Sequence, residues 1–242
     1  MATSSPHVGV QLPRRFAIGI TLAASIGFLS GGFTLGVLAG HGFSPAATPV
    51  PVAAGTTGTT PATTGGTTTP TSPFTVGATM HFKTPVYTLT GQQTTLVQGS
   101  KGTVIMAMAS WCLYCGYEDK WVLPVLAKTP GVVIDIVDVS PQGGIANPGP
   151  QSPAFSGHDG QGGPLTVAGM ESTMQQYKKT FGTLNASNIH VYVAPQATQS
   201  AWNIQSFPTL AFVGPTGKVV VAPGGAQTIS QAQSDLQQAL GG

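Results

Sequence analysis

Seven residues, TVIMAMA at 103–109, run without a charge, glycine or proline into SWCLYC, which holds the chain's only two cysteines, Cys112 and Cys115. A continuous apolar run of this length is the pattern of a central strand covered on both faces. After it, from Cys115 to Lys128, residues Tyr117, Trp121, Val122, Val125 and Leu126 recur at helical spacings. Pro124 is expected to kink that helix. The cysteine pair therefore sits where a buried strand meets a helix. A strand covered on both faces needs a layer of structure on either side, so this junction constrains the fold strongly.

The rest of the folded region agrees. GVVIDIVDV at 131–139 reads as a second buried strand and NIHVYVA at 188–194 as a third. Residues 171–181 form an amphipathic pattern ending at Gly182, a candidate C′ glycine. Residues 199–204 read as a short helix. Strands at 208–213 and 218–221 flank GPTG, a hairpin turn, and Ser230 is the expected N-cap of a closing helix over 231–240. Early elements alternate and late ones pair antiparallel, which predicts an α/β domain with a central mixed sheet flanked by helices. Between the second strand and the amphipathic helix lies a Gly/Pro-rich loop at 140–166, long enough to imply an added function or disorder.

Toward the N-terminus the character changes twice. Residues 16–40 carry no charge, and as a helix these 25 residues span about 37 Å, enough to cross a hydrocarbon core of ~30 Å. Arg14 and Arg15 precede them and no basic side chain follows until Lys83. The expected organisation is a cytoplasmic N-terminus (1–15), a transmembrane anchor or signal segment (16–40), a disordered Thr/Pro/Gly-rich linker (41–73) and a folded domain (74–242). A single-pass anchor leaves the domain on the extracytoplasmic side of the cell membrane. Cleavage before Gly40, after Val37 and Ala39, leaves it secreted. The chain has nine Lys/Arg and seven Asp/Glu, balanced at seven each beyond Arg14 and Arg15. No basic patch points to nucleic acid. With few carboxylates to protonate, the domain is expected to stay folded at low pH.

Three chemistries compete for the cysteines. Zinc wants four ligands, and one cysteine pair with scattered histidines (His41, His81, His158, His190) is short of them. A structural disulfide gains stability with loop length, and Cys112–Cys115 closes a short loop. Redox chemistry explains the spacing. Cys112 at the first helical turn has its thiolate stabilised by unpaired amides, and Cys115, one turn on, reaches the same sulfur.

WCLYC with the helix after it, and SFPT at 206–209, resemble the thioredoxin superfamily. Further features are similar to its TlpA/ResA-like membrane-anchored thiol–disulfide oxidoreductases: the anchor, Glu118 three residues after Cys115, the helix–strand at 171–193 and the ending FPTLAFVGPTGKVV. The resemblance covers residues 74–240. It implies a thioredoxin-like fold and a redox-active Cys112–Cys115 disulfide, with Cys112 attacking and Cys115 resolving; no cofactor or metal is expected beside it. It also implies a cis peptide before Pro208, which faces the disulfide, and a substrate-contacting surface of Trp111, Leu113, Tyr114, Phe207 and Thr209. The implied function is an extracytoplasmic reductant of exported proteins, for example in cytochrome c maturation or copper-site assembly, supplied with electrons by a membrane thiol-transfer protein.

Thioredoxin itself has an aspartate six residues before the first cysteine, where this chain has Met106. That leaves deprotonation of Cys115 without its usual acceptor. Glu118 is the catalytic candidate to assist, set against its reading as an exposed helix carboxylate. Two other functions stay open. One is a disulfide-forming oxidase. The other is a copper-binding chaperone using the same thiols, with Met106, Met108 and His190 as further soft ligands.

Overall fold

The computed structural model describes residues 72–241. The expectations for residues 1–15, 16–40 and 41–71 lie outside the described residues. Among those described, no helix is long and apolar enough to cross a membrane.

Among the described residues, seven strands form one sheet: β1 (Pro85–Thr88), β2 (Gln93–Thr95), β3 (Gly102–Met108), β4 (Val132–Asp138), β5 (Ile189–Val193), β6 (Thr209–Val213) and β7 (Val219–Val221), in the order β2-β1-β5-β4-β3-β6-β7. β3, β4 and β5 are parallel neighbours. β6 pairs antiparallel with β3, β7 with β6, and β1 with both β2 and β5. The sheet is mixed, as the alternation of elements predicts. β1 and β2 are not legible in the sequence. PVYT and QTT are short, lie at the sheet margin and carry no sustained alternation, so neighbouring β5, not local pattern, makes β1 a strand.

β3 is buried along its whole length. Val104, Met106 and Met108 face one core, with Ile134, Ile136, Val191, Val193 and Phe212. Ile105 and Ala107 face a second, with Val137, Tyr192, Val213, Trp202 and Phe74. The first core is covered by α1 (Leu113–Tyr117), α2 (Leu123–Leu126), α3 (Val167–Thr180) and α5 (Ile229–Gly241), and the second by α4 (Gln196–Trp202) and the 74–80 segment.

Several helix boundaries differ from expectation. The helix after β3 begins at Leu113 rather than Cys115, and a π-turn, Glu118–Val122, divides it before Pro124. Leu123 N–H bonds the Glu118 carbonyl five residues back. Pro124 has no N–H to continue the ladder, and the wider turn absorbs that loss. α3 starts four residues before the expected Glu171, because Thr166 Oγ1 accepts from Gly169 N at 3.2 Å. Gly182 is not a left-handed cap but opens a short 3₁₀ turn. α4 spans 196–202 rather than 199–204 and ends at Asn203 with φ 47°. α5 is capped by Thr228, not Ser230. Thr228 N donates to Gln231 Oε1 at 2.9 Å and Gln231 N to Thr228 Oγ1 at 3.5 Å, a reciprocal capping box.

The 140–166 loop is ordered. Its two arms run antiparallel, bridged at Gln142–Pro164 and Asn147–His158. Glycine is required where they touch. At Gly144, φ is +102°, and an added Cβ there would strike the Gly160 carbonyl oxygen.

The acid expectation changes in its cause. Of the seven acidic residues, four are buried: Glu118, Asp119, Asp135 and Asp138. Each has a carboxylate oxygen with no hydrogen-bond partner. Burial pushes Glu118 and Asp119 up to about 8, Asp135 to about 7, and Asp138 well above the usual carboxylate range. In the unfolded chain such groups titrate near pH ~4. Between about pH 4 and 8 the fold therefore holds protons that the unfolded chain has released, and stability rises as pH falls. His190, lowered by burial and by Lys178, and the lowered Cys112 thiol act oppositely, two groups against four. The melting temperature of residues 72–242 is expected to climb as pH falls from about 8.5 to about 4.5, read by circular dichroism. A fall over that interval would mean that these carboxyls are charged in the fold.

Candidate active site

β3 ends at Met108 and the chain turns at once. Cys112 N donates to the Ala109 carbonyl at 3.1 Å, and Cys112 becomes the N-cap of α1 with φ −79° and ψ 122°. Its Sγ accepts from Cys115 N at 3.4 Å. Both cysteines are free thiols in this structure. They are not equivalent. Cys115 is fully enclosed, while Cys112 keeps 4% of its surface in solvent. The Cys112 thiol is lowered, chiefly by hydrogen bonding from the Cys115 side chain and then by the backbone amides of Cys115 and Tyr114, with burial opposing. The Cys115 thiol is raised well above its ordinary value, first by burial and then by Cys112.

The expected surrounding residues fall into three groups. The Phe207–Pro208 peptide is cis, and the Phe207 carbonyl lies 3.7 Å from Cys112 Sγ, placed to accept from the thiol. Trp111 meets Phe207 edge-on at 5.9 Å between centroids. Its Nε1 donates to Ser140 Oγ at 3.0 Å, and Ser140 N donates to buried Asp138 Oδ1 at 3.0 Å, so the end of β4 anchors the indole. Thr209 pairs with Ala107 at the start of β6, and its Oγ1 donates to the Ser206 carbonyl at 2.8 Å. Leu113 and Tyr114 cover the outer side of α1. Tyr114 is 45% exposed and tilts against Phe155 at 5.5 Å.

Glu118 is fully buried, not an exposed carboxylate, and its Oε1 accepts from the backbone N of Gln227, just before α5. A carboxylate whose charge bears on the thiols is its neighbour. Asp119 raises Cys115, and Cys112 in turn raises Asp119. Tyr177, from α3, donates its hydroxyl to Asp119 Oδ2 at 2.5 Å, while Asp119 Oδ1 is buried without a partner. Sequence reasoning missed Asp119, although a signal existed. It stands four residues after Cys115 and seven after Cys112, on their helix face. Tyr177 had no such signal, because only packing of α3 brings it there.

The sheet separates the soft-ligand set suggested for copper. Met106 and Met108 point into the first core, while His190 lies beside Tyr192, which belongs to the second. Among the described residues no three His, Cys, Asp or Glu side chains are grouped to hold a metal ion. A cleft of about 690 Å³ lined by His81, Tyr87, Thr198 and Trp202 lies toward the second core and shares no residue with the dithiol.

No family model and no curated protein matches the chain. Solved structures with a similar course include a thioredoxin-like protein from Aeropyrum pernix (14% identity, 64% of this chain and 88% of that one, TM-score 0.45). A secreted Mycobacterium tuberculosis disulfide oxidoreductase homologous to E. coli DsbE is another (15%, 64% and 96%, TM-score 0.42). A thiol:disulfide interchange protein of the thioredoxin family from Chlorobium tepidum TLS is a third (16%, 66% and 97%, TM-score 0.42).

The two thiols should separate by titration. Alkylation followed by mass spectrometry is expected to modify Cys112 with a midpoint below that of a free cysteine, near ~8.5, while Cys115 resists until the fold is lost. Equal reactivity would remove the asymmetry.

Proposed function

We propose that this domain is a thiol–disulfide oxidoreductase in which Cys112 attacks and Cys115 resolves. The observation that carries the reading is the inequality of the two sulfurs at one strand–helix junction. The lowered, marginally exposed Cys112 is capped by amides, and the raised, enclosed Cys115 lies one turn behind it. In the reducing direction, the Cys112 thiolate attacks one sulfur of a substrate disulfide. The substrate S–S bond breaks, and its second sulfur leaves as a thiolate that takes a proton. Cys115 then passes its proton to Asp119 and attacks Cys112 Sγ. The second substrate thiol is released, and two electrons have passed to the substrate as the Cys112–Cys115 disulfide forms.

Asp119 suits the acceptor role because its pKa, about 8, lies near the operating range of such a step. It stands in for the acceptor missing at Met106. In this reading Glu118 serves to bind α1 to the segment before α5. Phe207, Pro208 and Trp111 rim Cys112 and are the surface a substrate chain meets, with Leu113, Tyr114 and Thr209 beside them. The uncharged segment at 16–40 behind Arg14 and Arg15 supports an anchored, extracytoplasmic domain. Reduction of exported proteins, with a membrane thiol-transfer protein as electron donor, fits that placement.

Cys112→Ser is expected to abolish disulfide reduction, and Cys115→Ser to accumulate mixed disulfides visible on non-reducing gels. Trapping by the Cys112 variant instead would reverse the roles. Asp119→Asn should slow resolution of the mixed disulfide about 10²-fold, and the rise of that step through about pH 8 should vanish with it. An unchanged pH profile in Asp119→Asn would remove Asp119 from the reaction.

A further inference from the structure

We propose that Asp159, on the 140–166 loop, is a positioning and charge-setting residue for Cys112 that makes the dithiol couple more reducing than it would be without that charge; this rests on the oxidoreductase reading above. The loop grips the strand–helix junction on both sides of the attacking cysteine. Gly160 N donates to the Trp111 carbonyl at 2.8 Å, and Asp159 Oδ1 accepts from Leu113 N at 2.8 Å. The residue before Cys112 and the residue after it are thus held by adjacent residues of one loop. Ala146 N adds a third tie, to the Ser110 carbonyl at 3.0 Å.

Two consequences follow for the sulfur. The first is the allocation of amides. Of the three N–H groups after Cys112, those of Tyr114 and Cys115 lower the thiol, whereas that of Leu113 is taken by the Asp159 carboxylate. The second is charge. An anionic carboxylate held against the residue next to Cys112 opposes a thiolate forming there, and Asp159 acts on Cys112 in that direction. The groups that bear on Cys112 are Cys115, Asp119, Tyr177 and Asp159. Beside Asp159 stands His158, whose Nδ1 lies 3.1 Å from the Asp159 carbonyl and whose Nε2 lies 3.5 Å from Asn147 Nδ2, so the ring serves the loop backbone and Asn147. Destabilising the thiolate raises the free energy of the reduced protein and leaves the neutral disulfide untouched. The couple then gives up electrons more readily.

The test uses the full chain with two substitutions. Asp159→Asn keeps an acceptor for Leu113 N and removes the charge, and Asp159→Ala removes both. Three quantities are read: the pH midpoint of Cys112 alkylation, its dependence on salt, and the equilibrium with glutathione. Asp159→Asn is expected to lower the midpoint and to shift the glutathione equilibrium at least about threefold toward the dithiol, ~14 mV more oxidising. Added salt should lower the wild-type midpoint by screening Asp159 and leave that of Asp159→Asn in place. If Asp159→Asn matches the wild type and only Asp159→Ala differs, Asp159 is a hydrogen-bonding anchor for the loop and the charge role is overturned. If both variants match an active wild type, the whole inference falls and the oxidoreductase reading stands. A wild-type chain that forms no Cys112–Cys115 disulfide in any glutathione mixture overturns the oxidoreductase reading, and the claim about potential with it.

Discussion

The site depends on the way β3 stops. Its seven residues are covered on both faces, so neither the strand nor the carbonyls that follow it have freedom to move. The Ala109 carbonyl receives Cys112 N, the Ser110 carbonyl receives Ala146 N, and the Trp111 carbonyl receives Gly160 N. Three consecutive residues past the strand are pinned by three different partners. Only then does Cys112 sit as an N-cap with Sγ against Cys115 N and the Phe207 carbonyl. Two of the three ties come from the 140–166 loop.

That loop draws its ordering from close backbone contact rather than from a core of its own. Gly144 and Gly160 let the arms approach to a distance that no Cβ tolerates. Phe155 then packs on Tyr117 at 4.4 Å between centroids, and the Tyr117 hydroxyl donates to the Gln151 carbonyl at 3.2 Å. Gly116 of α1 faces Ala146 and Pro148. The composition that reads as disorder in the sequence is the composition that permits this packing.

The low charge of the domain conceals a concentrated electrostatic feature. Glu118 and Asp119, adjacent in sequence, are both fully buried at the π-turn, and each keeps one oxygen unpartnered. A buried carboxylate without a cationic partner is more stable protonated, which makes these groups proton holders near neutral pH. Asp119 is the one of the pair that couples to the thiols, and Glu118 ties α1 to Gln227, just before α5. A resemblance in sequence favours Glu118, because spacing along a chain does not say which way a π-turn directs each carboxylate.

The sequence by itself determined what depends on neighbours along the chain. The apolar run of β3, β4 and β5, the helix after the cysteines, the Gly-Pro-Thr-Gly turn before β7 and the CxxC spacing are local patterns, and strand or helix periodicity states them directly. Cys112 and Cys115 were legible as candidates for the same reason, whereas Phe207–Pro208 was marked only by the resemblance of SFPT to a known family. Tertiary structure decided what depends on distant partners. β1 exists because β5 offers an edge, Tyr177 meets Asp119 across 58 residues, and Asp159 reaches Leu113 across 46. Met106, Met108 and His190 are divided between two faces of one sheet. Burial also turned four carboxylates, Glu118, Asp119, Asp135 and Asp138, into groups that hold their protons. The free energy of a charge depends on the medium around it, and only the fold supplies that medium.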